Sequence, residues 1–415
     1  MLWLICFFNY ADRQAIFSVF PLLQREFSLS QIQLGLLGSA FAWIYGLSGP
    51  VAGIIVDRIR RKTAILGGLQ FWSIICAICA FSRSFGQLLF LRAAEGLGEA
   101  IYYPASTSLI SDYHGSKTRS KALGILVTSV YAGTVGGGLW AAVMAERHGW
   151  RSSFAVLGAL GCLLGIVLIR FLKEVPRGSA DPALMNVRRK PVGQEVLTIL
   201  RTPTVLTLML VFICANFVAL VLLTWMPAYL YGKFHLSLAQ AALMATLYPQ
   251  VGSMCGAFFG GYLADKLSEK TVRGRMITQM IGVVGGFPFV IICGFSASMP
   301  LTIAALICWG FLKGMYDANI FASVFDVVHP AARGTTSGFM NCIGWMIGGG
   351  TAPVAIGLLS RHLGLGHSIA LSAVAYLVAG ALLLFGMVRL LPRDLAALLG
   401  RDGSNCGTMS VDLTL

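Results

Sequence analysis

Gly53-Ile54-Ile55-Val56-Asp57-Arg58-Ile59-Arg60-Arg61-Lys62 closes one apolar run and leads into the next. Residues 31–56 before the junction and 63–82 after it contain no Asp, Glu, Lys or Arg. Each run reaches the roughly 20 residues that a helix needs to cross hydrocarbon. The charges of 57–62 therefore occupy a short loop between two spans. The same pattern returns 208 positions later as Gly261-Tyr262-Leu263-Ala264-Asp265-Lys266, again followed by a basic loop.

Working outward from that junction, apolar runs predict twelve spans, at 2–24, 31–56, 63–82, 86–111, 121–145, 152–172, 204–231, 238–264, 276–295, 300–327, 335–360 and 368–391. The longest polar stretch, 174–203, separates six spans from six. Two further motifs recur in the same order around it. Glu95-Gly96 and Glu99-Ala100 match Lys313-Gly314 and Asp317-Ala318, and Asp112, Arg119 and Gly124 match Asp326, Arg333 and Gly338 with intervals of 7 and 5 in both copies. Three matches in one order indicate a duplicated six-helix unit. Duplicated halves are a transporter architecture.

The expected fold is therefore an all-α polytopic membrane protein of two pseudo-symmetric six-helix bundles. The expected domains are 1–173, a linker at 174–203, 204–391, and a tail at 392–415. In the linker, Val192, Val196, Leu197 and Leu200 have the spacing of an amphipathic helix on the membrane surface, and a plain flexible connection fits equally.

Composition agrees. The chain of 415 residues is 57% hydrophobic and 12% charged, with mean hydropathy +0.77. An average soluble protein is roughly 25% charged, so a soluble reading is excluded. The 48 glycines suit helices that approach closely in lipid. The net charge of +14 is placed asymmetrically: 22 Lys/Arg fall on the side of both termini, six on the other, and Arg13, Arg92 and Lys313 lie within spans. That distribution follows the positive-inside rule and puts both termini in the cytoplasm. The basic excess is a topology signal that faces anionic lipid and does not call for nucleic acid.

The ten cysteines are scattered, and Cys76-x-x-Cys79 within an apolar span reads as packing, so no disulfide framework is implied. The six histidines lack metal-ligand spacing, and no metal or cofactor is expected. No cleavable signal is apparent, and the first span starts so close to Met1 that a short preceding cytoplasmic segment is expected.

The junction resembles the G-x-x-x-D-R-x-G-R-K signature of the major facilitator superfamily, departing from it at Arg60. That departure, with Phe71-Trp72-Ser73 and Asn9-Tyr10-Ala11-Asp12-Arg13, is similar to the spinster-like subgroup. So is Arg92-Ala93-Ala94-Glu95-Gly96-Leu97-Gly98-Glu99-Ala100. The anion:cation symporter subgroup shares the N-Y-x-D-R and G-E-A elements, and Pro104 and Gly149-Trp150-Arg151 also suit it. The resemblance implies that spans one, four, seven and ten line a central cavity. It also implies that Asp57 faces the start of span eleven, where a helix dipole favours a carboxylate.

Charges at membrane depth cost at least ~2.5–3.5 kcal/mol each on insertion scales. Asp12, Arg13, Arg92, Glu95 and Glu99 in spans one and four, with Lys313 and Asp317 in span ten, are therefore the candidate substrate and coupling residues. Arg92 and Glu99 are seven residues apart and fall on nearly one helix face. An internal ion-pair network would explain them too, although small residues would join helices at lower cost. Arginine offers a planar, permanently charged fork for a carboxylate or phosphate. Burial and a neighbouring arginine act oppositely on a carboxylate, so a change of surroundings can exchange an ion pair for a protonated acid. Glu99, with Asp12, is the expected coupling group, and Arg92 the expected anchor for an anionic headgroup.

Tyr10, Tyr45, Tyr102, Tyr103, Trp225 and Asn319 are candidate substrate contacts. Gly53, Asp57, Arg58, Arg61, Lys62, Asp112, Arg119, Asp265, Asp326 and Arg333 form the candidate gating set. There is no P-loop, no H-E-x-x-H and no domain long enough for an ATPase. The expected function is secondary transport by alternating access, with a proton, or else sodium, as coupling ion. The expected cargo is a small organic anion; the spinster-like resemblance implies an anionic amphiphile such as a lysophospholipid instead. The protein is expected to work as a monomer, in the cytoplasmic membrane.

Overall fold

The structure is a computed structural model and describes residues 1–176, 179–180, 199–328 and 333–402. Among the described residues every regular element is helical. Most of the proposed surface helix of the linker lies outside them.

The first predicted span is broken at Val19 into α1 (Leu2–Ser18) and α2 (Phe20–Glu26). Pro21 explains the break, since it has no N–H to donate and its ring clashes with the preceding turn. Then follow α3 (Gln31–Arg58), α4 (Arg61–Cys79), α5 (Phe85–Tyr113), α6 (Ser116–His148) and α7 (Trp150–Phe171). Beyond the linker come α8 (Pro203–Phe234), α9 (Leu238–Ser268), α10 (Gly274–Phe295) and α11 (Met299–Val327). The eleventh predicted span is α12 (Arg333–Ile343), a π-helical turn at Gly344–Gly349, and α13 (Gly350–Leu363). The last comprises α14 (Leu365–Ser372), α15 (Val374–Phe385) and a second π-helical turn; α16 (Leu391–Asp402) continues as helix into the stretch expected as a tail. Nine helical segments among the described residues are long and apolar enough to cross a membrane. Of the predicted spans outside that set, the first and fourth hold the charges described below.

Local signals place the starts. Ser30 caps α3 through a reciprocal pair, its Oγ accepting from Gln33 N while Gln33 Oε1 accepts from Ser30 N at 2.9 Å. Glu174 accepts from Arg61 N at 3.1 Å and from Lys62 N at 2.7 Å, so a carboxylate from after α7 caps α4. Gly149 and Gly364, at φ +82° and +76°, turn the chain between α6 and α7 and between α13 and α14, a conformation that side chains resist.

The residues form two compact units: 1–187 with 219–247 and 345–368, and 188–218 with 248–344 and 369–415. In the first, α1 packs on α6, α5 on α3 and α4, α7 on α4, and α13 on α3. Its core gathers Ile65, Leu69, Trp72, Leu109, Leu126 and Leu168. Trp150 Nε1 donates to Glu26 at 2.5 Å, and Arg151 pairs with the same carboxylate and donates to Ser82 O at 2.9 Å. That contact accounts for the Gly149-Trp150-Arg151 motif. In the second unit α10 packs on α11 and α15, and Trp309 Nε1 donates to Tyr376 Oη at 3.0 Å.

The duplication is visible inside the helices. α5 and α11 each have 29 residues, and both their ends lie 214 positions apart. Arg61 pairs with Asp112, and Arg275 pairs with Asp326 at the same offset. Arg119 donates to Ser111 O at 3.5 Å, and its counterpart Arg333 to Phe325 O at 3.1 Å. A Cβ on Gly96 would stand 2.6 Å from Phe41 O, and one on its counterpart Gly310 2.2 Å from Pro249 O. This register differs by one helical turn from the pairing of Gly96 with Gly314 read from the motifs. Glu95 and Glu99 thus correspond to Trp309 and Lys313, and the acidic pair of α5 is not duplicated.

Candidate functional site

Three carboxylates and two guanidiniums of the first unit, carried by α1 and α5, meet in one cluster. Arg92, Glu95 and Glu99 are fully buried, Asp12 is 3% exposed and Arg13 7%. Arg13 Nε donates to Glu99 Oε2 at 2.5 Å, joining α1 to α5. Arg92 pairs with Glu95 one turn along α5. Five of the seven residues expected from charge burial therefore lie together. Fully ionised, the cluster carries one negative charge in excess. Such an excess is costly at low dielectric unless something supplies a positive charge.

Several polar atoms of the cluster are buried without a hydrogen-bond partner: both oxygens of Asp12, Oε1 of Glu99, Nη1 of Arg13, and Nε and Nη2 of Arg92. Each would otherwise cost about 1–3 kcal/mol, more for a charged group. The site thus combines unfilled acceptors with unfilled donors, a set that suits both an anion and a proton.

The Arg13 guanidinium is walled by aromatic rings. Its Cζ lies 4.3 Å from the Tyr45 centroid, 4.8 Å from Tyr10, 5.1 Å from Phe41 and 5.3 Å from Trp345. Phe41 also faces Arg92 at 5.1 Å. The rings hold the cation by cation–π attraction while leaving its N–H edge for an anion. Phe41 and Trp345 were not legible as site residues. Phe41 lies one helical turn before Tyr45, a faint signal, whereas nothing in the sequence ties Trp345 to α1.

Other candidates are placed elsewhere. Tyr102 Oη donates to Leu2 O at 2.7 Å, and its ring packs on Trp72. Trp225 Nε1 donates to Pro353 O at 3.1 Å, and its ring packs on Phe20. Asn319 Nδ2 donates to Gly260 O at 3.1 Å and Met315 O at 2.9 Å. All three serve helix packing here. Tyr103, about one-third exposed, lies within electrostatic range of Tyr10 and Tyr45, beside the Arg13 wall. Lys313 and Asp317 form a half-buried pair within one turn of α11, in the second unit.

Of the gating set, Arg61 pairs with Asp112 and also donates to Ser108 O at 3.2 Å, while Lys62 Nζ donates to Ile169 O at 2.7 Å. Arg119 Nε donates to His114 O at 3.2 Å. Gly53 has open space at its Cβ position, Arg58 and Asp265 are exposed, and the side chain of Asp57 lies outside those described. Glu174 and Arg275 complete these networks and were not singled out from the sequence. Glu174 stands in a loop and Arg275 in the first turn of α10, each beside other charges, where charge is ordinary.

The family profile described as Major Facilitator Superfamily matches residues 2–353. The chain is 25% identical to the hexuronate transporter of Bacillus subtilis over 384 residues, covering 91% of this chain and 89% of that protein. It is 26% identical to protein spinster of Drosophila melanogaster over 375 residues, covering 86% of this chain and 61% of that protein's length. Among solved structures, a bacterial homolog of the human lysosomal transporter Spinster, crystallised inward-facing and unoccupied, superposes with TM-score 0.84 at 23% identity over 95% of this chain and 96% of that one.

Proposed function

Because this chain belongs to the major facilitator superfamily, and is a transporter and not an enzyme, we propose that it carries a small organic anion across the cytoplasmic membrane together with protons. The observation behind this reading is the Arg13–Glu99 pair, set in aromatic rings within a cluster that holds one carboxylate more than it has guanidiniums. The hexuronate transporter among its relatives bears the name of a sugar acid, a cargo of the class an arginine fork would bind.

In this mechanism the substrate carboxylate takes the guanidinium of Arg13, and Glu99 gives it up. One proton on the Asp12 and Glu99 carboxylates neutralises the resting cluster. The arriving anion adds a negative charge, which a further proton balances as Glu99 loses its partner. Coupling then follows from charge neutrality in a dry site. Arg92, the anchor expected from the sequence, stays paired with Glu95, and Arg13 takes the anchoring role. Alternating access exposes the cluster to each side in turn. The basic segments face the cytoplasm, and the Gly53–Lys62 junction between α3 and α4, with Asp112, Arg119, Asp265, Asp326 and Arg333, serves as the gate.

The aromatic wall around Arg13 also suits an anionic amphiphile, so the test carries both substrates. Purified protein in liposomes enclosing a pH dye is given hexuronate in one arm and a lysophospholipid in the other. Internal acidification on hexuronate addition, absent without protein, is the expected result. Proton movement with the lipid alone moves the cargo to the amphiphile class, and uptake that follows a sodium gradient without proton flux overturns the coupling.

A further inference from the structure

The Cys76-x-x-Cys79 pair reads from sequence as packing, but both thiols lie against the charge cluster. Asp12 of α1, Cys76 of α4 and Glu95 of α5 present one ligand atom each, all within 4.8 Å of one another and all buried. Cys79, one turn from Cys76 along α4, has its Sγ 3.6 Å from Glu95 Oε1. The Cys76 thiol also makes a long contact to Phe154 O at 3.6 Å. Asp12 supplies a separate observation: its carboxylate is 3% exposed, no N–H or O–H reaches either oxygen, and its one hydrogen-bonding neighbour is the Cys76 thiol.

We propose that Asp12, Cys76 and Glu95 form a binding site for a divalent thiophilic cation of the zinc class. Donor type and charge both support this. A thiolate with two carboxylates is a zinc-type donor set, with metal–ligand bonds of about 2.0–2.3 Å. Donors in a tetrahedral site stand about 3.5 Å apart, so side-chain rotation that draws the three together suffices. Binding removes the proton from Cys76 Sγ, which leaves for solvent, and the new bond joins sulfur to metal with no change of oxidation state. The fully ionised cluster carries one excess negative charge. A dication with one new thiolate adds one net positive charge, and the site becomes neutral. A hard monovalent ion would reach the same neutrality but would gain nothing from the sulfur. Arg92 keeps its contact with Glu95 Oε2, and the metal takes the side of Glu95 that faces the thiols. Occupancy would tie α1, α4 and α5 together and would take the place of the resting proton on Asp12 and Glu99, so metal and proton compete for the cluster.

The test uses the full chain, purified in detergent, with cadmium as a spectroscopic zinc surrogate. The expected result is an ultraviolet thiolate-to-cadmium absorption that saturates at one ion per chain and disappears on zinc addition. Cys76→Ser removes the band, while Cys162→Ser, on α7, leaves it. Asp12→Asn keeps the thiol but weakens cadmium binding tenfold or more, which guards against misreading a misfolded serine variant; gel filtration and thermal melting report folding for each. A band that survives Cys76→Ser in folded protein, unaltered affinity in Asp12→Asn, or the absence of saturable binding overturns the site. None of these readouts depends on the cargo or on proton coupling.

Discussion

Arg13 is joined to Glu99 through its Nε alone, while its Nη1 lies buried without an acceptor. A guanidinium held by one edge, with another edge unfilled, is poised to exchange its carboxylate for a different one.

Glu99→Gln preserves shape and removes the exchangeable proton. We expect binding to persist, counterflow of substrate to continue, and accumulation driven by a proton gradient to vanish. Proteoliposome uptake with and without the gradient measures this. Accumulation that persists would remove Glu99 from the coupling role.

Arg13→Lys keeps the charge but loses the planar fork and its fit among the rings. Substrate affinity should fall about tenfold or more, equivalent to at least ~1.4 kcal/mol. Lys313→Gln, whose partner Asp317 is local, should leave affinity unchanged. Binding calorimetry on both variants checks the contrast. Equal losses would make Lys313 part of the site.

The sequence twins Asp112 and Asp326 should differ in stability. The Arg61–Asp112 pair is 13% and 6% exposed, whereas Arg275–Asp326 is 32% and 37% exposed. Asp112→Asn takes the nearly buried carboxylate out of its pair with Arg61, at a cost of about 3 kcal/mol. Asp326→Asn breaks a half-solvated pair, at a cost of about 0.5 kcal/mol. Thermal melting in detergent should rank them in that order, and equal shifts would contradict the burial argument.

Glycine substitutions offer a structural check. Gly310→Val would drive a side chain into Pro249 O and should destabilise by about 1–3 kcal/mol. Gly53→Ala meets open space and should leave melting unchanged or raise it slightly. A transport defect in a stable Gly53→Ala protein would then reflect another stage of the cycle, as the proposed gating role requires.

Apolar run length, the placement of lysine and arginine, and the recurring Gly–Asp motifs determined the helical spans and their duplication, because lipid penalises any other distribution of charge. The same penalty singled out Asp12, Arg13, Arg92, Glu95 and Glu99. Only the tertiary structure decided the pairing, with Arg13 on Glu99 and Arg92 on Glu95, since on one helix face either carboxylate is within reach. It also brought Phe41 and Trp345 around Arg13, set the thiols of α4 against Asp12, and fixed the repeat register of α5 and α11 one turn from the motif alignment. Such contacts depend on how helices cross, and a crossing is set by ridges and small residues summed over many turns, which no local motif encodes.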